Sequence, residues 1–347
     1  LKAAIAILCY NGAKHIEDYL PSIIENSPEE VAIYVIDNAS TDNSVQVLQQ
    51  FNDQITVIEL DVNYGFAGGY NHGLKQIDAD LYFLLNSDVK VPKGWCEVLI
   101  RKFQEEKGIG AVQPKVLSLD SPDTFEYSGA AGGYIDRLGY AFCRGRLFDE
   151  IEKDTNQYND DQYVAWGSGC ALALDAKLFH SIGGFDERYF AHYEEIDLCW
   201  RMRKAGYKIL YSASTHIYHL GGGTLQYGNP QKTYLNFRNS LLTLYKNSRP
   251  RRRTLKVLLR LLLDGAAALN FLFHGGVRHI WSILRAHFFF YSHYFEIRKQ
   301  TRHYNQLIAQ CRIHAQSDHG VYEGLIVWQH FIKGIKTFKQ LSLSDES

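Results

Sequence analysis

Leu81-Tyr-Phe-Leu-Leu-Asn-Ser-Asp88 is the stretch on which the fold turns, an apolar run that stops abruptly at Asn86, Ser87 and Asp88. Such a run reads as a strand buried on both faces, and in open α/β sheets ligands bind just beyond the carboxyl ends of such strands. A carboxylate at that point can hold a metal ion. A turn is the competing explanation, because Asn, Ser and Asp all favour turns and caps.

The same pattern recurs upstream and weighs against a mere turn. Ala3-Ala-Ile-Ala-Ile-Leu8 reads as a first buried strand ending at Cys9-Tyr10-Asn11-Gly12, and Ile16, Leu20, Ile23 and Ile24 follow at helical spacing. Val31 to Ile36 makes a second strand ending in Asp37-Asn38-Ala39-Ser40, with Thr41 or Asp42 placed to cap a helix over 45–51. Ile55 to Leu60 makes a third, followed by the glycine-rich Asn63-Tyr-Gly-Phe-Ala-Gly-Gly-Tyr-Asn71-His-Gly73, which opens another helix. The order β-α-β-α-β-α-β, with every polar cluster at a strand's carboxyl end, predicts an α/β domain. Gly65-Phe-Ala-Gly68-Gly69 has neither the G-x-G-x-x-G spacing of a dinucleotide fold nor the closing G-K-[ST] of a P-loop. Glycines at a helix N-terminus still permit close backbone approach and offer N–H groups to an anion; a tight structural turn explains the segment equally well.

These residues resemble the family 2 inverting glycosyltransferases, and within them the rhamnosyltransferase-like bacterial members. The resemblance covers residues 4–247. It rests on Tyr10-Asn11, Val35-Ile-Asp-Asn-Ala-Ser40, Asn63-x-Gly-Phe-Ala-Gly-Gly-x-Asn71, Asn86-Ser-Asp88, Gly184-Phe-Asp-Glu-Arg-Tyr-Phe190 and Glu194-Glu-Ile-Asp-Leu-Cys-Trp-Arg201. It implies a GT-A fold, a mixed and mostly parallel sheet flanked by helices. A nucleotide-sugar-binding half (1–105) would join an acceptor-binding and catalytic half (106–248), moving a sugar from a nucleotide diphosphate with inversion at the anomeric carbon. Carried over by position, the donor would meet Tyr10, Asn11, Asp37, Asn38, Gly65, Phe66, Ala67, Gly68, Asn71, Asn86 and Ser87. Asp88, last residue of a D-x-D-like signature, would bind Mg²⁺ or Mn²⁺ bridging the two phosphates. The first acidic position is Asn86 here, so phosphate oxygens and water would complete the coordination.

The second half supplies the chemistry. Tyr163 to Leu174 is a strand-like run interrupted by Gly167 and Gly169, either a bulged core strand or a place where a ligand comes close. Glu194, Glu195 and Asp197 crowd three carboxylates into four residues, and crowded carboxylates raise one another's pKa. They also suit the first turn of a helix, where the dipole favours acids. An inverting transfer needs a general base on the acceptor hydroxyl, and the resemblance assigns it to Glu195, with Glu194 next in line. Asp197 and Arg201, four apart, read as a helical ion pair. His219 would complete the metal site, with His216 competing for the role, and the glycine run after His219 reads as a loop able to fold over bound donor. Trp166, Gly167, Ser168, His192 and Arg238 are expected on the acceptor side.

The formal net charge of −1 conceals an asymmetry, since residues 249–347 hold 15 Lys+Arg against 6 Asp+Glu. This region reads as basic, amphipathic helices: Lys256, Arg260 and Asp264 recur every four residues among leucines, and Ala286 to Phe295 adds aromatic bulk. Such helices suit the interface of an anionic membrane; a packed helical subdomain or a homodimer contact are the other readings. A lipid-linked glycan acceptor would explain the tail. No nucleic-acid motif accompanies the basic patch. The six cysteines lack C-x-x-C spacing and the N-terminus runs directly into strand one, so the expectation is an enzyme of the cytoplasm at the inner face of the cytoplasmic membrane, serving bacterial surface-polysaccharide assembly. Two alternatives are a nucleotidyltransferase, which would normally carry basic residues in a glycine-rich loop after strand one, and a degenerate sugar-nucleotide-binding scaffold.

Overall fold

The computed structural model describes residues 1–221, 229–274 and 276–341. Most of the glycine run after His219 and the last six residues lie outside them. The first half alternates as the sequence predicts: β1 (Ala3–Cys9), α1 (Ala13–Glu25), β2 (Ala32–Asp37), α2 (Ser44–Leu48), β3 (Thr56–Glu59), α3 (Gly65–Leu74), β4 (Leu81–Asn86), β5 (Val89–Lys90) and α4 (Trp95–Glu105). The second half adds β6 (Ile109–Ser118), the short strands β7 (Gly133–Asp136), β8 (Ala141–Cys143), β9 (Arg146–Leu147) and β10 (Glu150–Ile151), then β11 (Gln162–Val164), β12 (Ala171–Asp175), α5 (Ala176–Ser181), α6 (Glu194–Lys204) and β13 (Lys208–His219). Helices α7 (Pro230–Asn247), α8 (Pro250–His274), α9 (Val277–Ser292) and α10 (Tyr294–Gln310) follow, and β14 (Val321–Tyr322) returns to pair with β7.

Among the described residues one nine-stranded sheet runs through both halves in the order β11-β13-β6-β12-β4-β1-β2-β3, with β5 on β13. β4, β1, β2 and β3 are parallel, and the chain order reverses between β1 and β4. That switch point opens a crevice at the strands' carboxyl ends, where Tyr10 and Asn11 leave one strand and Ser87 and Asp88 the other. Both faces of the sheet are covered, which is why β1 and β4 are continuously apolar. Ile5, Ile7, Phe83 and Leu85 pack toward α1 and α4, whereas Ala6, Tyr82 and Leu84 pack toward α3, α5 and α6. α3 lies unusually close to the sheet: a Cβ on Gly73 would fall 2.3 Å from the Ile36 side chain, so this glycine serves packing.

Two sequence expectations change in detail. The helix over 45–51 is α2 followed by a single 3₁₀ turn, and Asp42 Oδ1 accepts the Ser44 N–H ahead of it at 2.9 Å. The run from Tyr163 to Leu174 is two strands, not one bulged strand. β11 is antiparallel to β13, β12 is antiparallel to β4 and β6, and the glycine-containing 165–170 crosses between them.

In the C-terminal region, α8 is amphipathic in the inverted sense. Arg260 and Asp264 are buried against the body, with Arg260 Nε donating to Asp264 Oδ1 at 2.9 Å and Nη2 to Ser240 Oγ at 2.7 Å. Leu255, Leu258, Leu262, Leu269 and Leu272 face outward, Leu262 at 72% exposure, joined by Trp281 and Phe288 of α9 and by Phe295. Among the described residues no helix is long and apolar enough to cross a membrane. After α10 the chain returns to the second half, where Phe338 packs on Tyr134 and Phe142.

Candidate active site

β4 and β13 deliver their ends to one corner. β13 runs through to residue 219 past an irregularity near Ser212, and its last residue pairs with Val89 and Ser118. His219, rather than His216, therefore meets Asp88: Nε2 lies 3.2 Å from Asp88 Oδ1 and 3.2 Å from Asn86 Nδ2, with both Asp88 and His219 buried. Burial opposes the charged carboxylate, but the ring beside it holds Asp88 below the usual carboxylate range. Burial also opposes a charged His219, yet Cys170, Asp88 and Glu126 hold it well above the ordinary histidine value.

Glu126 is the site residue that sequence reasoning misses. It is buried in the segment after β6, with Oε1 3.4 Å from His219 Nδ1. No local pattern marks it, since Phe-Glu-Tyr-Ser reads as any edge segment, and only the pairing of β6 with β13 brings it to the histidine.

Among the described residues no group of three His, Cys, Asp or Glu side chains is gathered as a metal cage. Asp88 with His219 Nε2 is nevertheless a hard oxygen and nitrogen pair, fitting a divalent cation whose other ligands are phosphate oxygens and water.

On the donor side Asp37 accepts the Ser40 N–H through Oδ2 at 3.0 Å, while its Oδ1 is buried without a partner and could be satisfied by a ligand N–H or hydroxyl. Asn11 adopts a left-handed φ of 51° and gathers the Thr41 and Asp42 N–H groups on Oδ1. Tyr10 is exposed at the crevice mouth and Ser87 is half-buried. Asn38 shapes the glycine segment, donating to the Gly65 carbonyl and accepting the Tyr64 N–H. The N–H groups expected to be free for an anion are not all free: those of Phe66 and Ala67 donate to the Phe190 carbonyl. Asn71 is likewise engaged, accepting the Phe185 N–H and donating to Glu187 Oε1. The segment thus locks the donor half to the 185–190 loop, and its Gly68 lies against Tyr64.

Glu194 and Glu195 open α6 as expected, side by side, Glu194 buried and Glu195 half-buried, each with one enclosed oxygen lacking a partner. Burial, then its neighbour Glu195, lifts Glu194 well above the usual carboxylate range; burial lifts Glu195 up to about 7. The loop ahead of them is strained, with Phe190, His192 and Tyr193 at φ of 62°, 70° and 73°, conformations that bulky side chains adopt only under tertiary constraint. Asn239 Nδ2 supplies that constraint, donating to the carbonyls of Tyr189, Ala191 and His192. Arg238, expected on the acceptor side, braces the same loop from behind through the carbonyls of Arg188 and Tyr189. The Asp197–Arg201 pair is one edge of a buried network: Lys246 Nζ bridges Asp197 and Asp186 at 2.9 and 2.6 Å, tying α6 to α7.

The crossing segment joins the two halves. A Cβ on Gly169 would lie 3.1 Å from the Phe66 ring and 3.9 Å from Glu195 Cβ, so Glu195 abuts the glycine segment across this backbone. Trp166 is buried with Nε1 on the Tyr134 carbonyl, a Gly167 Cβ would strike Leu172, and the Ser168 N–H donates to Gln113. His192 keeps Nε2 buried without a partner, and burial, helped by Lys232, pushes its pKa down to about 4. Cavity size is no guide to this site: a cleft of about 810 Å³ lies at the opposite, amino ends of the strands, beside Asp80 and Ile109.

A parallel sheet with its switch point at β1/β4, extended by antiparallel strands that bring a carboxylate–histidine pair and an acidic helix start to one crevice, defines a GT-A transferase. Solved structures share this architecture. The chain is similar to the mannosyltransferase PcManGT from Pyrobaculum calidifontis in complex with GDP-Man and Mn²⁺, at TM-score 0.51 and 16% identity over 89% of this chain and 85% of that one. It is also similar to Staphylococcus aureus TarS in complex with UDP-GlcNAc, at TM-score 0.54 and 14% identity over 82% and 79%. Residues 4–162, a little under half of the chain, match Glycosyl transferase family 2. Among curated relatives, the N-acetylglucosaminyl-diphospho-decaprenol L-rhamnosyltransferase of Mycobacterium tuberculosis is 26% identical over 233 residues, 62% of this chain and 75% of that protein. The poly-beta-1,6-N-acetyl-D-glucosamine synthase of Staphylococcus epidermidis is 26% identical over 56% of this chain and 48% of its own length. The segment matched to that family carries the β1–β4 crevice and Asp88.

Proposed function

We propose that this enzyme transfers a sugar, with L-rhamnose on deoxythymidine diphosphate the leading donor, to a hydroxyl of a lipid-linked glycan in bacterial surface-polysaccharide assembly, with inversion. The observation that carries the chemistry is Glu195, which has an unpartnered oxygen, a pKa near 7 and a place against the glycine segment across Gly169. Its carboxylate takes the acceptor's hydroxyl proton as the oxygen attacks the anomeric carbon, and the sugar's bond to the diphosphate breaks on the opposite face. Glu194, held protonated by burial and by Glu195, leaves its neighbour as the ionisable partner. Asp88 and His219 would hold Mg²⁺ or Mn²⁺, which neutralises charge on the departing diphosphate. Asp37 Oδ1 would meet the nucleoside, and the neutral His192 and half-exposed Lys232 would line the acceptor. Rhamnose and the lipid-linked acceptor rest on the mycobacterial relative alone.

Contact with an anionic membrane, at the cytoplasmic face, rests on the inverted helices. Leu258, Leu262, Trp281, Phe288 and Phe295 form an outward apolar face accompanied by exposed Arg251, Arg252, Arg278, Arg285 and Arg298, the pairing that suits apolar insertion among anionic headgroups. A second copy on the same face would oppose like charges.

Thermal unfolding with nucleotides and nucleotide sugars, each with Mn²⁺ and with chelator, tests the core of this reading, because a ligand of the folded state raises the midpoint. The expected result is a cation-dependent rise with one diphosphate family that is lost in Asp88→Ala. A response equal with and without cation, or intact in Asp88→Ala, removes the metal assignment.

A further inference from the structure

We propose that Glu126 is a positioning residue for the cation site: its carboxylate holds the Nδ1–H of His219, so that Nε2 presents its lone pair beside Asp88. The inference rests on the cation reading above. An imidazole ligates a metal through a bare ring nitrogen, and the hydrogen bond made by its other nitrogen selects which one is bare. The two nitrogens of His219 have different neighbours. Nε2 faces Asp88 Oδ1 at 3.2 Å, and Nδ1 faces Glu126 Oε1 at 3.4 Å.

Several features build Glu126 for this task. Its N–H donates to the Val116 carbonyl, so the main chain anchors it to β6. Ser128 N–H donates to Oε2, which orients the carboxylate and leaves Oε1 for the ring. A Cβ at residue 221 would lie 2.8 Å from Oε1, and Gly221 has φ of +71°, so a glycine is required for the chain to pass. His219 Nδ1 is buried with no hydrogen bond closed at the 3.4 Å spacing. A buried polar atom in this position is stabilised by the nearest acceptor, which here is Glu126 Oε1. The ring nitrogens point away from one another, so a cation shared by Asp88 and Nε2 is out of reach of Glu126, in keeping with the absence of a three-residue cage among the described residues. If the proton instead sat on Nε2, it would donate to Asp88 and occupy the place the cation needs.

The test titrates Mn²⁺ alone into the full chain, followed by electron paramagnetic resonance, for wild type, Glu126→Ala, Glu126→Gln and Asp88→Ala, each first shown to unfold at a normal midpoint. Nitrogen-15 spectra of histidine-labelled protein, recorded at a pH above the His219 titration where the ring carries one proton, read its tautomer without metal. Glu126→Ala should bind Mn²⁺ about 10- to 100-fold more weakly and shift His219 from the Nδ1–H toward the Nε2–H form. Glu126→Gln should restore most of both, because its amide oxygen accepts the same proton. Wild-type affinity and an unchanged tautomer in Glu126→Ala overturn the proposal, as does a loss in Glu126→Gln equal to that in Asp88→Ala, which would make Glu126 a ligand. Unchanged affinity in Asp88→Ala would overturn the cation reading instead, and the tautomer measurement then still decides whether Glu126 orients His219.

Discussion

Strand β4 and helix α8 both read as leucine-rich, and they bury opposite kinds of side chain. β4 places Leu81 to Leu85 in the core between two layers of helices and delivers Asn86 and Asp88 to the crevice. α8 turns Arg260 and Asp264 inward and leaves Leu258, Leu262 and Leu269 in the open. Apolar residues in a strand covered on both faces must be buried, because the strand has no other face. A helix has a choice of face, and here the ion pair found partners in Ser240 and the Leu138 carbonyl while the leucines did not. An exposed apolar face of this extent marks an interaction surface.

That contrast can be broken from the site outward. The largest effect belongs to Glu195→Gln, which should lower transfer by about 10²- to 10⁴-fold with donor affinity kept; near-normal turnover would move the base to Glu194. Because Glu195 ionises at about 7, kcat/KM should climb with pH through that value and level off above it, and a flat profile from acid to alkaline pH would remove it as the base. Stability should slope the other way. Between the ordinary value of 4.5 and about 7 the folded chain keeps a proton the unfolded chain has released, so stability falls as pH rises across that window, and the Gln variant should lack this component.

A step smaller is the buried network behind the site. Asp197→Ala strands Lys246 and Arg201 without their shared carboxylate, and loss of one partner of such a group costs about 3–5 kcal/mol, readable by urea unfolding. A loss below about 1 kcal/mol, the range of exposed pairs, would show that water reaches the network. The smallest effect on the fold is expected on α8 and α9. Leu262→Ser with Phe288→Ser should change stability by no more than about 0.5 kcal/mol yet release the protein from vesicles containing anionic lipid. If vesicle binding persists while a wild-type dimer falls apart in the variant, the face belongs to a second subunit.

The legible part of the site lay in local pattern. Asp37, Asp88, Glu194 and Glu195 each follow or open an element whose period is plain in the chain. What was not legible came from contacts distant in sequence. Arg238 looked like a ligand contact, but the loop at 188–193 needed its carbonyls capped and the guanidinium went there. The glycine segment looked like an anion cradle, but two of its N–H groups found Phe190. Glu126 carried no signal at all until β6 paired with β13.

The order of strands in the first half, their burial on two faces and the acids at their ends were determined by the sequence itself, because hydrophobic period and turn chemistry act over a few residues. Which histidine meets Asp88, which carboxylate stands behind it and which face of α8 looks outward were decided by the tertiary structure. Those outcomes depend on strand pairing across more than a hundred residues, and on buried hydrogen-bonding groups taking whichever partners the assembled fold brings within reach.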